Sequence, residues 1–274
     1  MSTRTTTIGV DRTRATARSG ELAEWYAEHG RHDLPWRETR DRWAVLVSEV
    51  MLQQTQVARV LVAWPAFMRS FPTPEAAAAV PVGDLLRAWG RLGYPRRAKR
   101  LWEAAAIIAV RGWPDDLREL PGVGRYTAGA LAAQADDLDV AALDVNVRRV
   151  LERVEGRSLT EGAAHEAMVD IGAPLRGRDR LLALMDVGAV LCRPRDPDCD
   201  ACPLHDRCST RGVRTDERRS RQPAFAGSFR QRRGVVMAEL RAGPAPVGGL
   251  DAEALASLVA DGLAIVAGPT AALP

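Results

Sequence analysis

Between residues 20 and 190 the apolar positions sit in segments of helical composition: Ala, Leu, Arg and Glu dominate, and the β-branched alternation of a half-buried strand is scarce. Pro35, Pro65, Pro72, Pro81, Gly90, Gly112 with Pro114, Pro121 and Pro174 punctuate these segments as stops, which predicts an all-α body. The stretch DRWAVLVSEVMLQQTQVARVLV reads as helix, and from Trp43 to Leu52 apolar side chains cover almost its whole circumference, so burial is expected there. The pattern changes after residue 209. Arg211, Arg214, Arg218, Arg219, Arg221, Arg230, Arg232 and Arg233 are separated by polar residues and read as a basic linker, placed at 216–233. Beyond it come an apolar-periodic stretch at Val235–Leu240, a PAPVGG break, DAEALASLVADG as a second helix and LAIVAG as a strand. Together these suggest a small winged-helix-like module over residues 234–274.

With 274 residues there is room for one large or two modest domains. The opening MSTRTTTIGVDRTRATARSG lacks an apolar core, and no later run approaches the ~18 apolar residues of a membrane span. A soluble, cytoplasmic chain with a disordered tail at 1–17 is therefore expected. The net charge of +3 is modest, but the cations are nearly all Arg, whose planar fork suits phosphate oxygens.

All four cysteines lie in CRPRDPDCDACPLHDRC, as Cys192, Cys199, Cys202 and Cys208 with spacing C-x6-C-x2-C-x5-C. In a chain expected inside the cell, thiols serve as metal ligands more often than as disulfides. Four thiolates hold either zinc or an iron–sulfur cluster, and His205 adds a Cys3His alternative. The spacing leaves these readings open.

Two further segments carry chemistry. LPGVGRYTAGALAAQ joins a short helical turn, DLREL, to an Ala-rich helix through a tight hairpin, in which Gly122 and Gly124 let backbone approach a partner closely. Unpaired N–H groups at the following helix start would receive a phosphate, so Gly122, Val123, Gly124 and Arg125 are expected to contact DNA. The second is Glu49, which interrupts the apolar helix. A carboxylate there is costly unless paired or facing a cavity, and such a site lets it hold a proton near neutral pH. Gln53 and Gln56, four and seven residues on, are expected on the same helical side, able to hydrogen-bond a base or backbone. Asp144 before VNVRRVLERV reads as an N-cap that stays ionised and can still face a cleft.

The order SEVMLQQTQV, LGYPRRAKRL, LPGVGRYTAGAL, LDVNVRRV and then the cysteine loop resembles the helix–hairpin–helix DNA glycosylases of the endonuclease III superfamily, specifically the MutY-type adenine glycosylases. The resemblance covers roughly residues 18–215. It implies a two-lobed fold, with a six-helix lobe at about 38–144 and a cluster lobe from 18–37 and 145–215. It also implies a [4Fe–4S] cluster on the four cysteines, bracing a DNA-contacting loop beside Arg193, Arg195 and Arg207. By the same resemblance Glu49 protonates the adenine, Asp144 stabilises the sugar cation, and Tyr126 and Asn146 organise these carboxylates. Gln54 and Tyr94 contact or wedge beside the mismatch. Tyr126 stands where endonuclease III-type enzymes carry a lysine nucleophile, which implies a monofunctional enzyme.

The activity so implied is hydrolysis of the N-glycosidic bond of adenine opposite 8-oxoguanine or guanine in duplex DNA, by a monomer. The base must be extruded before it is cut, and one protonated and one ionised carboxylate divide the work as in glycoside hydrolysis. The alternatives are a mismatch thymine glycosylase, a noncatalytic iron–sulfur DNA-binding protein and a zinc-bearing helical regulator. Two departures stand out. The family's Asp-Gly-Asn is here Asp144-Val145-Asn146, and only about 40 residues follow the basic linker where relatives commonly carry a MutT-like domain that recognises 8-oxoguanine. With few aromatic side chains, residues 222–274 are expected to add little base stacking, and their basic linker to add phosphate contacts instead.

Overall fold

The computed structural model describes residues 20–217 and 224–274. The first helix, α1 (Glu21–His29), is followed by a 3-10 turn at Pro35–Arg37. Then come α2 (Arg42–Leu52), α3 (Val57–Ser70), α4 (Pro74–Ala78), α5 (Val82–Trp89), α6 (Arg96–Arg111) and α7 (Arg125–Asp136). Next are α8 (Val145–Glu155), α9 (Glu161–Ile171) and α10 (Gly177–Asp186), which runs into a π-helical turn at Val187–Leu191. Beyond the cysteines lie α11 (Phe229–Ala242), β1 (Ala245–Pro246), α12 (Ala252–Ala260), β2 (Ile265–Ala267) and β3 (Thr270–Ala272). The tail expected at 1–17 and Arg218, Arg219 and Arg221 of the linker fall outside the described residues.

The chain divides into two compact units. One holds residues 32–136 and 224–274, and the other residues 20–31 and 137–217. In the first, α2 is the central element: every residue from Trp43 to Met51 is buried. The Asp41 carboxylate caps it by accepting the Ala44 N–H at 2.8 Å, and the Trp43 indole N–H reaches the Phe71 carbonyl at 2.9 Å. In the second unit, Leu22 and Tyr26 of α1 are buried along with Val147, Val150 and Leu151 of α8 and Leu181 and Leu184 of α10. Arg31 holds the start of this unit to α10 by a 2.6 Å ion pair with the buried Asp186.

Four boundaries differ from the sequence pattern. The helix through Glu49 ends at Leu52 and a new one starts at Val57, although the apolar pattern continues; Gln54 adopts a positive φ of 55°, which no continuing right-handed helix allows. Pro65 lies inside α3 and does not stop it, because Val60 and Phe67 bury that helix in the core and packing outweighs one missing hydrogen bond. Asp144 belongs to the cysteine-bearing unit, since the chain passes from one unit to the other at Asp136–Asp137.

The fourth difference concerns the C-terminal region. Helix α11 begins at Phe229, capped by the Ser228 hydroxyl on the Gln231 N–H, so Arg230, Arg232 and Arg233 are helical residues. Arg232 pairs with Asp251 and Glu253, and Arg233 with Asp261 at 2.5 Å. One strand was expected; three short ones form an antiparallel sheet of order β1-β3-β2. Val236, Met237, Leu240, Leu255 and Leu258 share one continuous apolar core with Leu85, Leu86 and Trp89 of α5, so residues 224–274 are part of the first unit's core.

Candidate active site

Glu49 is 4 % exposed, and the side-chain amide of Gln134 on α7, itself buried, donates to its Oε1 at 2.7 Å. The carboxyl therefore sits inside the packing of α2 on α7 and away from the bundle surface. Because α2 ends at Leu52, Gln53 and Gln56 do not continue the helical face of Glu49: Gln53 is its C-cap and Gln56 the N-cap of α3.

What replaces that face is built around Arg97. Its Nη1 donates to the carbonyls of Val50 at 2.6 Å and Gln53 at 2.5 Å, and its Nη2 to the Thr55 hydroxyl at 3.0 Å and the Gly93 carbonyl at 3.2 Å. One guanidinium thus satisfies carbonyls left open at the end of α2 and ties them to the loop before Tyr94. Burial pulls the Arg97 guanidinium down to about 10. Gln54 and Tyr94 both carry positive φ, 55° and 47°, and line a common groove. Strained backbone at non-glycine residues persists only where its surroundings hold it, and Arg97 grips both loops.

In the hairpin, Leu120 and Val123 are buried and Gly122 has a φ of 83°, where a side chain would also press on Arg100 Cβ at 3.1 Å. Gly124 is exposed, and a Cβ there would meet nothing within 4 Å, which leaves its backbone open to approach. Arg125 is exposed and Tyr126 half-buried at the start of α7, the helix that also carries Gln134.

Asp144 caps α8. Its Oδ1 accepts the N–H groups of Asn146 at 2.9 Å and Val147 at 2.6 Å, and its Oδ2 the Asn146 side-chain amide at 2.8 Å. Val145 is 78 % exposed with an ordinary negative φ, so the backbone accommodates valine in place of the family glycine. The Asn146 Oδ1 accepts from Arg149 Nη2 at 2.9 Å. Arg149 also donates to the carbonyls of Gly188 and Cys192, both at 2.7 Å. Gly188 lies in the π-helical turn, where a Cβ would come within 2.8 Å of Asn146 Cβ; only glycine permits that approach.

The four cysteines are unpaired by disulfides and line one pocket with Val150, Val154, Val187 and Leu204. Burial pushes the Cys202 thiol up to about 12, with added repulsion from the other three, and raises Cys192 against the pull of Arg153. Arg153, 1 % exposed, donates to Cys192 Sγ at 3.4 Å, the Arg193 carbonyl at 2.8 Å and Glu217 at 2.5 Å. Among the described residues no group of three or more His, Cys, Asp or Glu is arranged to hold a single metal ion. His205 Nδ1 is 2.7 Å from the Cys199 carbonyl, so it braces the loop. Four thiol groups lining one pocket are a donor set whose chemistry suits zinc or an iron–sulfur cluster. Arg193 folds onto the carbonyls of Asp196 and Val190, and Arg207 pairs with Asp170 at 2.6 Å.

Residues 47–169 match the family model described as HhH-GPD superfamily base excision DNA repair protein. The adenine DNA glycosylase of Mycobacterium tuberculosis is 44 % identical over 253 residues, covering 82 % of this chain and 79 % of that protein. The chain belongs to the adenine DNA glycosylase family. A second member, from Mycolicibacterium smegmatis, is 43 % identical over 83 % of this chain and 81 % of its own length; the human member is 36 % identical over 72 % of this chain but only 40 % of its own. Among solved structures, a thermostable thymine-DNA glycosylase is 28 % identical with a TM-score of 0.63, covering 73 % of this chain and 97 % of that one. A noncovalent endonuclease III–DNA complex, 21 % identical with a TM-score of 0.60 over 74 % of this chain and 97 % of that one, shares the fold. Within this family framework Arg97, Arg149, Arg153 and Gln134 are the residues that sequence reasoning missed. Their polar identity was visible, but nothing in their spacing marked their partners.

Proposed function

We propose that this chain hydrolyses the N-glycosidic bond of adenine mispaired with 8-oxoguanine or guanine in duplex DNA. The observation that carries the reading is a buried carboxyl, Glu49 on Gln134, in a chain 44 % identical to an adenine DNA glycosylase. Burial favours a protonated acid, so Glu49 delivers a proton to the departing adenine. The Asp144 carboxylate, held by Asn146 and the first turn of α8, stabilises the positive charge that develops on the sugar, and water completes the hydrolysis. The hairpin at Gly122–Arg125 positions the phosphate backbone without reading sequence. Tyr126 offers no amine for a Schiff base, so the strand stays intact. Cys192, Cys199, Cys202 and Cys208 would hold a [4Fe–4S] cluster, which when bound cross-links their loop. Purified protein should then show visible thiolate-to-iron absorbance and contain iron and sulfide without zinc.

The test is single-turnover base release from A:8-oxoguanine, A:G and T:G duplexes by wild type and Glu49→Gln. Adenine release that falls by about 10²–10⁴ in the variant, with mismatch binding kept, is expected. Release by Glu49→Gln within a few-fold of wild type would overturn the assignment. The likeness to a thymine-DNA glycosylase supports a second reading, which T:G cleavage in preference to A:G would favour.

A further inference from the structure

A groove of about 940 Å³ lies within the first unit, between the Gln54 and Tyr94 loops and helix α11. Its lining includes Arg59, Arg91, Arg96, Arg230, Arg233 and Arg241 and no acidic residue. Arg96 and Arg233 share one carboxylate, that of Asp261. Arg59, Arg91 and Arg241 make no ion pair with an acid among the described residues. The Nε of Arg241 is buried there without a hydrogen-bond acceptor, a desolvated donor that an anion would complete. Between the arginines stand three aromatic rings: Tyr94, Phe225 and Phe229, which are 36 %, 54 % and 37 % exposed. Each has a guanidinium over the ring, Arg97 at 5.4 Å on Tyr94, Arg230 at 5.1 Å on Phe225 and Arg232 at 5.0 Å on Phe229. The Arg230 guanidinium also reaches the Tyr94 hydroxyl at 3.3 Å, joining α11 to the Tyr94 loop.

We propose that this groove binds an unstacked nucleotide of the DNA substrate, its base against Tyr94, Phe225 or Phe229 and its phosphates on Arg59, Arg91 and Arg241. Unpaired cations alternating with exposed aromatic rings are the chemistry of single-strand recognition: the guanidinium groups follow the backbone and the rings accept any base face. The volume lies in the upper part of the ~300–1,000 Å³ range of ligand pockets. A fully paired duplex offers phosphates but no free base face, so the rings act only where pairing is broken. The inference rests on the DNA-glycosylase reading for the identity of the polymer. It departs from the sequence expectation of little base stacking in the C-terminal region, because Phe225 and Phe229, few as they are, line one groove with Tyr94.

The experiment measures binding by fluorescence anisotropy with three labelled probes of one sequence: a paired duplex, the same duplex with an A:G mismatch, and the single strand. Phe225→Ala/Phe229→Ala should weaken the mismatched duplex and the single strand about tenfold and leave the paired duplex within about twofold. Phe225→Trp/Phe229→Trp should restore binding. Arg59→Gln should weaken all three probes and lower the salt slope by about one. Equal binding of every probe by the double alanine variant and wild type, or uniform loss across all three probes, overturns the inference. Adenine release by wild type is scored separately. If release occurs but the alanine variant binds normally, the groove assignment fails and the function stands; if release is absent but discrimination collapses in that variant, the reverse holds. Both rings are exposed, so their removal leaves the core intact.

Discussion

Arg149 donates its Nε–H to the carbonyl of Cys192 at 2.7 Å, and the same guanidinium holds the side chain of Asn146 at 2.9 Å. The cysteine loop and the cap around Asp144 therefore share one rigid donor. Burial lowers the Arg149 pKa, so its hydrogen bonds are made in a partly desolvated setting.

Arg149→Gln should lower the rate of adenine release at saturating enzyme by about 10–100-fold. That is the loss of hydrogen bonds from a charged donor at about 1.5–3 kcal/mol. Single-turnover kinetics read the rate, anisotropy should show mismatch affinity within a few-fold, and unchanged visible absorbance would separate mispositioning of Asn146 from loss of the cysteine loop's structure.

Arg97→Met should cost about 2–3 kcal/mol of stability, because the carbonyls of Val50, Gln53 and Gly93 lose a common donor. Urea denaturation measures this. The mismatch preference should fall too, as Gln54 and Tyr94 lose the clamp on their strained backbone, whereas affinity for paired duplex should hold.

Much of this is legible in the sequence. The cysteine spacing led to one pocket, and the LPGVG string to a hairpin with buried Leu120 and Val123. The end of α2 was not, because VARVLV continues the apolar pattern and the break is made by Arg97, some forty residues away in sequence. In a chain with 38 Lys and Arg, nothing local distinguishes a clamping arginine from a solvated one. The same blindness made a linker of Arg230–Arg233, whose acidic partners Asp251, Glu253 and Asp261 lie beyond the PAPVGG break.

Borohydride should trap no covalent protein–DNA adduct, and product strands should remain whole until alkali is added, because in the proposed mechanism Tyr126 offers no amine for a Schiff base. Gel electrophoresis with and without alkali decides this, and a trapped species would show that another amine reaches the sugar.

Acid should loosen the cysteine-bearing unit through Glu217. Burial opposes its charge, yet the hydrogen bond from Arg153 prevails and holds its pKa below the ordinary 4.5. With the folded value depressed, the native state binds fewer protons than the unfolded one. The stabilisation is complete above about pH 4.5 and is lost as pH falls through the folded value. Thermal melts of wild type and Glu217→Gln should converge on acidification from pH 6 to about 3; parallel curves would discard the linkage.

Since Val236, Met237 and Leu240 complete a core begun by Leu85, Leu86 and Trp89, residues 224–274 are bound into the fate of the helices that carry Glu49. A truncation meant to remove a reader would instead open apolar surface on the catalytic body, and aggregation in the test tube would masquerade as lost specificity. The same dependence makes this region unsuited to transplantation: a longer recognition domain grafted in its place would have to bring its own apolar underside before it could bring any preference for a base.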